Sequence, residues 1–217
     1  MSSTIVSQNL LRVEELGVLD YLSAWQLQKE LQEKVILNID PNTLLLLQHQ
    51  SVYTAGRRTE ITDRPLDNTP VIDVDRGGKI TWHGLGQIVG YPIVKLKSST
   101  DVVGFVRELE TALIEMCDEF GIKAERYCER SGVWLRDAKG DRKIAAIGLR
   151  VAKGVTMHGF ALNVNPDLSA YSKIVPCGIA DAKVTSLSAE LGRSITIEEV
   201  MPVLKKHILP TLERVSQ

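Results

Sequence analysis

A chain of 217 residues, 44% hydrophobic and 24% charged, can bury one sizeable core but is short for two, so residues 1–217 are expected to form a single domain. A formal net charge of -1 supplies no global basic field, which excludes the broad electrostatic footprint of a nucleic-acid or anionic-membrane binder. No apolar run approaches the roughly 18 residues needed to cross a bilayer, and residues 1–10 lack a basic start followed by an apolar block, so the expected location is the cytoplasm.

Helical periodicity comes first around Leu22, Trp25 and Leu31, and then from Val102 through Phe105, Leu109, Ala112, Leu113, Met116 and Phe120. Thr100 or Asp101 would cap the start of that second helix and Gly121 its end. Strand-like stretches cover 44–47, 71–74, 79–82, 87–94, 133–136, 143–151 and 155–164. The C-terminal segment opens on Thr196 and Glu199, the spacing of a capping box, but Pro202 falls where a helix interior objects, which predicts irregular first turns. Several strands follow one another without intervening helices. That order predicts an α+β fold with a mixed, mostly antiparallel sheet flanked by helices.

The stretch from Arg76 to Gln87 holds four glycines and joins two predicted strands, which suits either a loop wrapped against a ligand or a glycine-rich hairpin with bulges. It is a poor dinucleotide fingerprint, because Gly84 and Gly86 are followed by Gly90 and no helix follows. Three cysteines, Cys117, Cys128 and Cys177, form no CxxC pair, so neither a disulfide framework nor a zinc site is suggested. Cys117 sits in apolar helical company and reads as a small hydrophobe, whereas Cys128 lies among charges of both signs. Cys177, between Pro176 and Gly178, occupies a turn that can present a thiol. Lys143 heads an apolar, small-residue strand; it is either a solvated edge residue or, if it faces a thiol, the stabiliser of a thiolate. His49, His83, His158 and His207 show no metal-ligand spacing, so no metal is expected, though His83 and His158 could bond a thioester carbonyl or orient a catalytic group.

Together these motifs resemble one family. Arg76-Gly77-Gly78, then Thr81-Trp82-His83-Gly84 and Gly86-Gln87-Ile88-Val89-Gly90-Tyr91-Pro92, are similar to the glycine-rich segment of the octanoyl-[acyl-carrier-protein]:protein N-octanoyltransferases, the lipoyl(octanoyl) transferases of lipoate biosynthesis. Further matches are 53–57, Ser131-Gly132-Val133-Trp134, 143–148, 158–163 and Pro176-Cys177-Gly178, in the family's order; Leu85 stands where the family usually has proline, which should only loosen the loop. The resemblance implies a biotin/lipoate protein ligase-like catalytic domain with an acyl tunnel. It assigns Cys177 as the acyl-carrying nucleophile and Lys143 as the residue that lowers its pKa. It places Arg76, Gly77, Gly78, Lys79, Ile80, Thr81, Trp82, His83, Ala146, Ile147, Gly148, Gly159, Phe160 and Ala161 at the substrate site.

The implied reaction moves an octanoyl group from octanoyl-acyl carrier protein to a lysine on lipoyl domains of 2-oxoacid dehydrogenases or on the glycine cleavage H protein. No cofactor and no ATP are required, and the chain is expected to act as a monomer without nucleic acid or membrane. Arg57, Arg58, Lys79 and Lys153 are candidates for a local basic patch facing acidic carrier domains. The alternatives are an ATP-dependent lipoate or biotin ligase, which would need a nucleotide phosphate site, and a catalytically silent acyl-binding protein.

Overall fold

A computed structural model describes residues 11–67, 69–127, 130–174 and 183–217. Along the chain run β1 (Arg12–Val18), α1 (Tyr21–Ile36), β2 (Thr43–Gln48), β3 (Val52–Ala55), β4 (Val71–Asp73), β5 (Thr81–His83), β6 (Gln87–Ile93), α2 (Val102–Glu119) and β7 (Glu125–Tyr127). Then follow β8 (Arg130–Asp137), β9 (Gly140–Ala152), β10 (Val155–Asn163), β11 (Lys183–Val184), α3 (Leu187–Leu191) and α4 (Ile197–Val215). The main sheet has the order β1-β2-β6-β10-β9-β8-β7, with β11 against β9, and β4-β3-β5 form a smaller sheet beside it. Pairing is antiparallel except at β1–β2, β3–β4 and β9–β11. This is the α+β arrangement that uninterrupted strands imply.

The main sheet is covered on both faces, and its central strands β2, β6 and β10 are accordingly buried at nearly every position. Leu44 and Leu46 of β2 join Ile88, Phe160 and Leu162 under α2 and α4, whereas Leu45 and Leu47 join Val89, Tyr91 and Ala161 under α1. Helix α1 starts at Asp20, whose carboxylate accepts from Ser23 N, and buries Tyr21, Ala24, Gln28, Leu31 and Val35 at helical spacing. Asp101 caps α2 in the same way, and Gly121 follows its C-cap with φ +75°.

Two expectations change. Helix α4 runs without a break through Pro202 and Pro210. Both prolines lie on its exposed side, where water can take the carbonyls they leave unbonded, while Val200, Leu204, Ile208 and Leu212 face the core. The predicted strand 79–82 begins only at Thr81, because the preceding residues form a bent loop bonded elsewhere. Among the described residues no helix is long and apolar enough to cross a membrane.

One irregularity in β10 shapes the site. Pro92 of β6 has no N–H to give, and here β10 departs from the β6 ladder. The Thr156 hydroxyl repairs the break by donating to Pro92 O at 2.5 Å and accepting from Val94 N at 3.0 Å. His158 takes up the distortion with φ +61°.

Candidate active site

A cavity of about 250 Å³ lies between the end of the small sheet, the N-terminus of α1 and the middle of β9 and β10. Of the expected substrate residues, Arg76, Gly78, Lys79, Thr81, His83, Ala146, Ile147, Gly148, Gly159, Phe160 and Ala161 line it, and so does Lys143. Gly77, Ile80 and Trp82 do not. Side chains on β5 alternate, so Thr81 and His83 face the cavity, while Ile80 and Trp82 turn the other way to pack with Tyr53, Tyr171 and Ile174. Gly77 instead fastens the loop, its N–H donating to Leu149 O at 2.9 Å.

Arg76 holds the same loop in place from inside. Its guanidinium donates to Thr54 O at 2.7 Å, Thr54 Oγ1 at 2.9 Å and Lys79 O at 2.8 Å, so backbone acceptors that would otherwise be buried unbonded are satisfied. Lys79 bonds Glu60 at 2.9 Å and lies 3.2 Å from Asp63, which hold its ammonium above the ordinary lysine range. Its charge is therefore balanced locally. Of the other basic candidates, Arg57, Arg58 and Lys153 are exposed.

Lys143 is not a solvated edge residue. It sits within β9 with β8 on one side and β11 on the other, only 7% exposed. Its Nζ donates to Ser131 O at 3.0 Å and stands 4.5 Å from the centroid of the Trp134 ring, its cross-strand neighbour. Cys177 and Cys128 lie outside the described residues. On either side of the segment that carries Cys177, Ile174 packs in the Trp82–Tyr171 cluster, and Val184 pairs with Lys143 while Thr185 N donates to Lys143 O at 2.9 Å. Cys117 is fully buried in α2, and burial pushes its thiol up to about 12, as suits a core residue.

The floor of the cavity holds residues that sequence reasoning missed, Tyr21 and Tyr91, backed by His49. Tyr21 stacks on His83 with ring centroids 5.9 Å apart, and burial raises its phenol to about 12. Leu19 O accepts from His49 Nδ1 at 2.7 Å, so Nε2 carries the lone pair and accepts from Tyr91 Oη at 2.8 Å. By the same logic Gln87 Oε1 fixes the proton of His83 on Nδ1 at 3.2 Å, because Gln87 Nε2 is committed to Trp82 O and Asn163 Oδ1. His158 Nε2 donates to Asp75 Oδ1 at 2.7 Å, and Arg150 pairs with the other oxygen. That hydrogen bond, helped by Arg150, keeps the Asp75 carboxyl below its ordinary range.

Burial depresses His49, His83 and His158 below the ordinary imidazole range, His83 the furthest, so the cavity is built on neutral histidines. The sign of the pH dependence follows. Between the depressed folded values and about pH 6.5 only the unfolded chain binds these protons, so stability is complete above that pH and falls below it, by roughly 1 kcal/mol per pH unit for each such histidine. The urea midpoint should therefore drop between pH 7.5 and 5.5, with a smaller drop in His83→Gln. A flat profile would mean that these imidazoles charge as readily folded as unfolded.

Comparison with known proteins adds a family match, two close relatives and a likeness in fold. Residues 20–209 match the family described as lipoyl protein ligase A/B catalytic domain. The chain is 56% identical to an octanoyltransferase of Salinispora arenicola over 98% of this chain and 99% of that protein. It is also 57% identical to an octanoyltransferase of Mycolicibacterium smegmatis over 92% of this chain and 88% of that one. In fold it is similar to a bipartite lipoate protein ligase of Thermoplasma acidophilum, with a TM-score of 0.68 at 18% identity, covering 93% of this chain and 83% of that one.

Proposed function

The chain belongs to the lipoyl protein ligase A/B catalytic domain family and is an acyltransferase, and from that premise we propose that it carries octanoyl groups from octanoyl-acyl carrier protein to the lysine of a lipoyl domain through a thioester on Cys177. The observation that carries this reading is Lys143, an ammonium set into the wall of a cavity whose neighbouring wall is made of Ala146, Gly148, Gly159 and Ala161. A slot of small residues accepts an alkyl chain. Burying its six methylenes contributes about 5 kcal/mol at roughly 0.8 kcal/mol each.

In the first half-reaction the Cys177 thiolate attacks the donor thioester carbonyl, and the tetrahedral oxyanion collapses with departure of the donor thiolate. Lys143 gives that thiolate its proton and becomes a neutral amine. In the second, the acceptor lysine attacks the acyl-enzyme as a free amine, and the proton it sheds on forming the amide passes to Lys143. The ammonium–thiolate pair is thereby restored. Thioester exchanged for thioester is nearly balanced, and thioester exchanged for amide runs downhill, so no ATP enters. Support for placing Cys177 beside Lys143 comes from its Pro-Cys-Gly setting and from the flanking strand β11, which pairs with Lys143. The likeness to a lipoate protein ligase at 18% identity speaks to fold alone, so it does not favour ATP-dependent ligation.

The test is transfer from octanoyl-carrier protein to a purified lipoyl domain, followed by the mass of the domain. We expect full transfer without nucleotide and no gain on adding ATP. Transfer only from free octanoate with ATP would establish the ligase instead.

A further inference from the structure

Glu110 lies on the core side of α2 among apolar neighbours and is 0% exposed, a costly place for a carboxylate unless every oxygen is used. Its Oε2 accepts from Arg107 Nη1 at 2.7 Å and lies 3.5 Å from Arg126 Nε. Its Oε1 reaches away from both arginines to the backbone of β8, accepting from Gly132 N at 2.9 Å. The carbonyl of that same peptide group is Ser131 O, the acceptor of Lys143 Nζ at 3.0 Å. In a trans peptide the N–H and C=O point opposite ways, so one plane is clamped between a buried carboxylate and the lysine ammonium. Bonds in such a chain polarise one another, and the carboxylate makes the Ser131 carbonyl a stronger acceptor.

The local backbone is built for this. Gly132 has φ +116°, which side-chain-bearing residues rarely adopt, and a Cβ there would fall 2.5 Å from Ala145 O and 3.3 Å from Lys143 Cε. Only glycine lets the peptide turn its carbonyl toward Lys143 while its N–H meets α2.

We propose that Glu110 is a positioning residue for acyl transfer, holding the Lys143 ammonium at the cavity wall through the Ser131–Gly132 peptide. This rests on the reading of Lys143 as the partner of Cys177. It makes a sign prediction that simple electrostatics opposes. Deleting a carboxylate should, by Coulomb's law, ease formation of a nearby thiolate; releasing Lys143 from its place should hinder it.

The experiment is the pH dependence of iodoacetamide alkylation at Cys177, read from the mass of its peptide, in the full chain. In Glu110→Met the midpoint should rise by about half or more of the rise in Lys143→Met, whereas Glu110→Gln, which keeps an acceptor oxygen, should stay within roughly 0.3 unit of the parent. In Lys143→Met the further change Glu110→Met should add nothing, because the two act as one unit. The turnover number for octanoyl transfer should fall about tenfold in Glu110→Met with the donor KM changed less than roughly twofold, a share of the effect expected of acid–base catalysis. Should Glu110→Met fail to fold, Glu110→Asp, with the charge kept and the reach shortened by one methylene, takes its place with the same expected direction.

A midpoint that is unchanged or lowered in Glu110→Met while Lys143→Met raises it would overturn the proposal alone. So would a Glu110→Met shift that persists in full beside Lys143→Met. An unchanged midpoint in Lys143→Met itself would remove the underlying reading, and the proposal with it.

Discussion

Lys143→Met should lower octanoyl transfer by about a hundredfold or more, with the fold intact, because in the proposed mechanism one group serves as acid in the first half-reaction and base in the second. Methionine fills nearly the same space beside Trp134 and removes a buried charge. Ser131 O loses its donor, but Ser131 is exposed and lines the cavity, so water can take the place of the ammonium. Stability should thus change little, and single-turnover rates should fall for both acylation and deacylation. Lys143→Arg should not restore turnover, since guanidinium keeps its proton at any working pH. Transfer within a few-fold of the parent in a folded Lys143→Met protein would leave Lys143 as a structural cation only.

Gly159→Val should cost the fold itself. From the sequence, an added side chain at this position is expected to fill the acyl site of an otherwise intact protein, but the geometry places a Cβ 2.0 Å from Gly90 O and 2.7 Å from Pro92 Cδ. Those atoms belong to the neighbouring strand β6, so the chain cannot yield without opening the centre of the sheet. A loss above about 4 kcal/mol, or accumulation as insoluble protein, is the expected result. Ala146→Leu is the variant that tests the cavity, because it adds bulk at a half-buried lining position; it should keep the melting temperature within a few degrees and block acyl loading. A soluble Gly159→Val protein with the parent's melting temperature would contradict this packing of β10 on β6.

Much of the architecture is legible in the sequence because periodicity and burial agree. Phe105, Leu109, Ala112, Leu113 and Met116 recur at helical spacing and are the residues that α2 buries. Strand β1 was not legible: Arg12, Glu14 and Glu15 in seven residues give no alternation, and the strand exists because it pairs with β2 at the sheet edge. The glycine-rich stretch reads equally as a ligand loop or a bulged hairpin, and Ile80 and Trp82 lie in the same run as Thr81 and His83, so only the two-residue repeat of β5 separates lining from packing residues. Tyr21, His49 and Tyr91 come from three separate stretches of the chain, and nothing local marks them as neighbours. Glu110 is harder still. On an amphipathic helix a glutamate reads as solvent-facing, and its burial is explained only by Arg107, Arg126 and the amide of Gly132.

Every step of the proposed transfer passes through a covalent acyl-enzyme on Cys177, and the intact mass of the protein shows whether it forms. After mixing with octanoyl-carrier protein and no ATP, the chain should gain one octanoyl group. Hydroxylamine should remove that group, and Cys177→Ser should not acquire a hydroxylamine-labile one. An unmodified parent that nonetheless transfers octanoyl groups, or a labile group still present in Cys177→Ser, would rule out the Cys177 thioester.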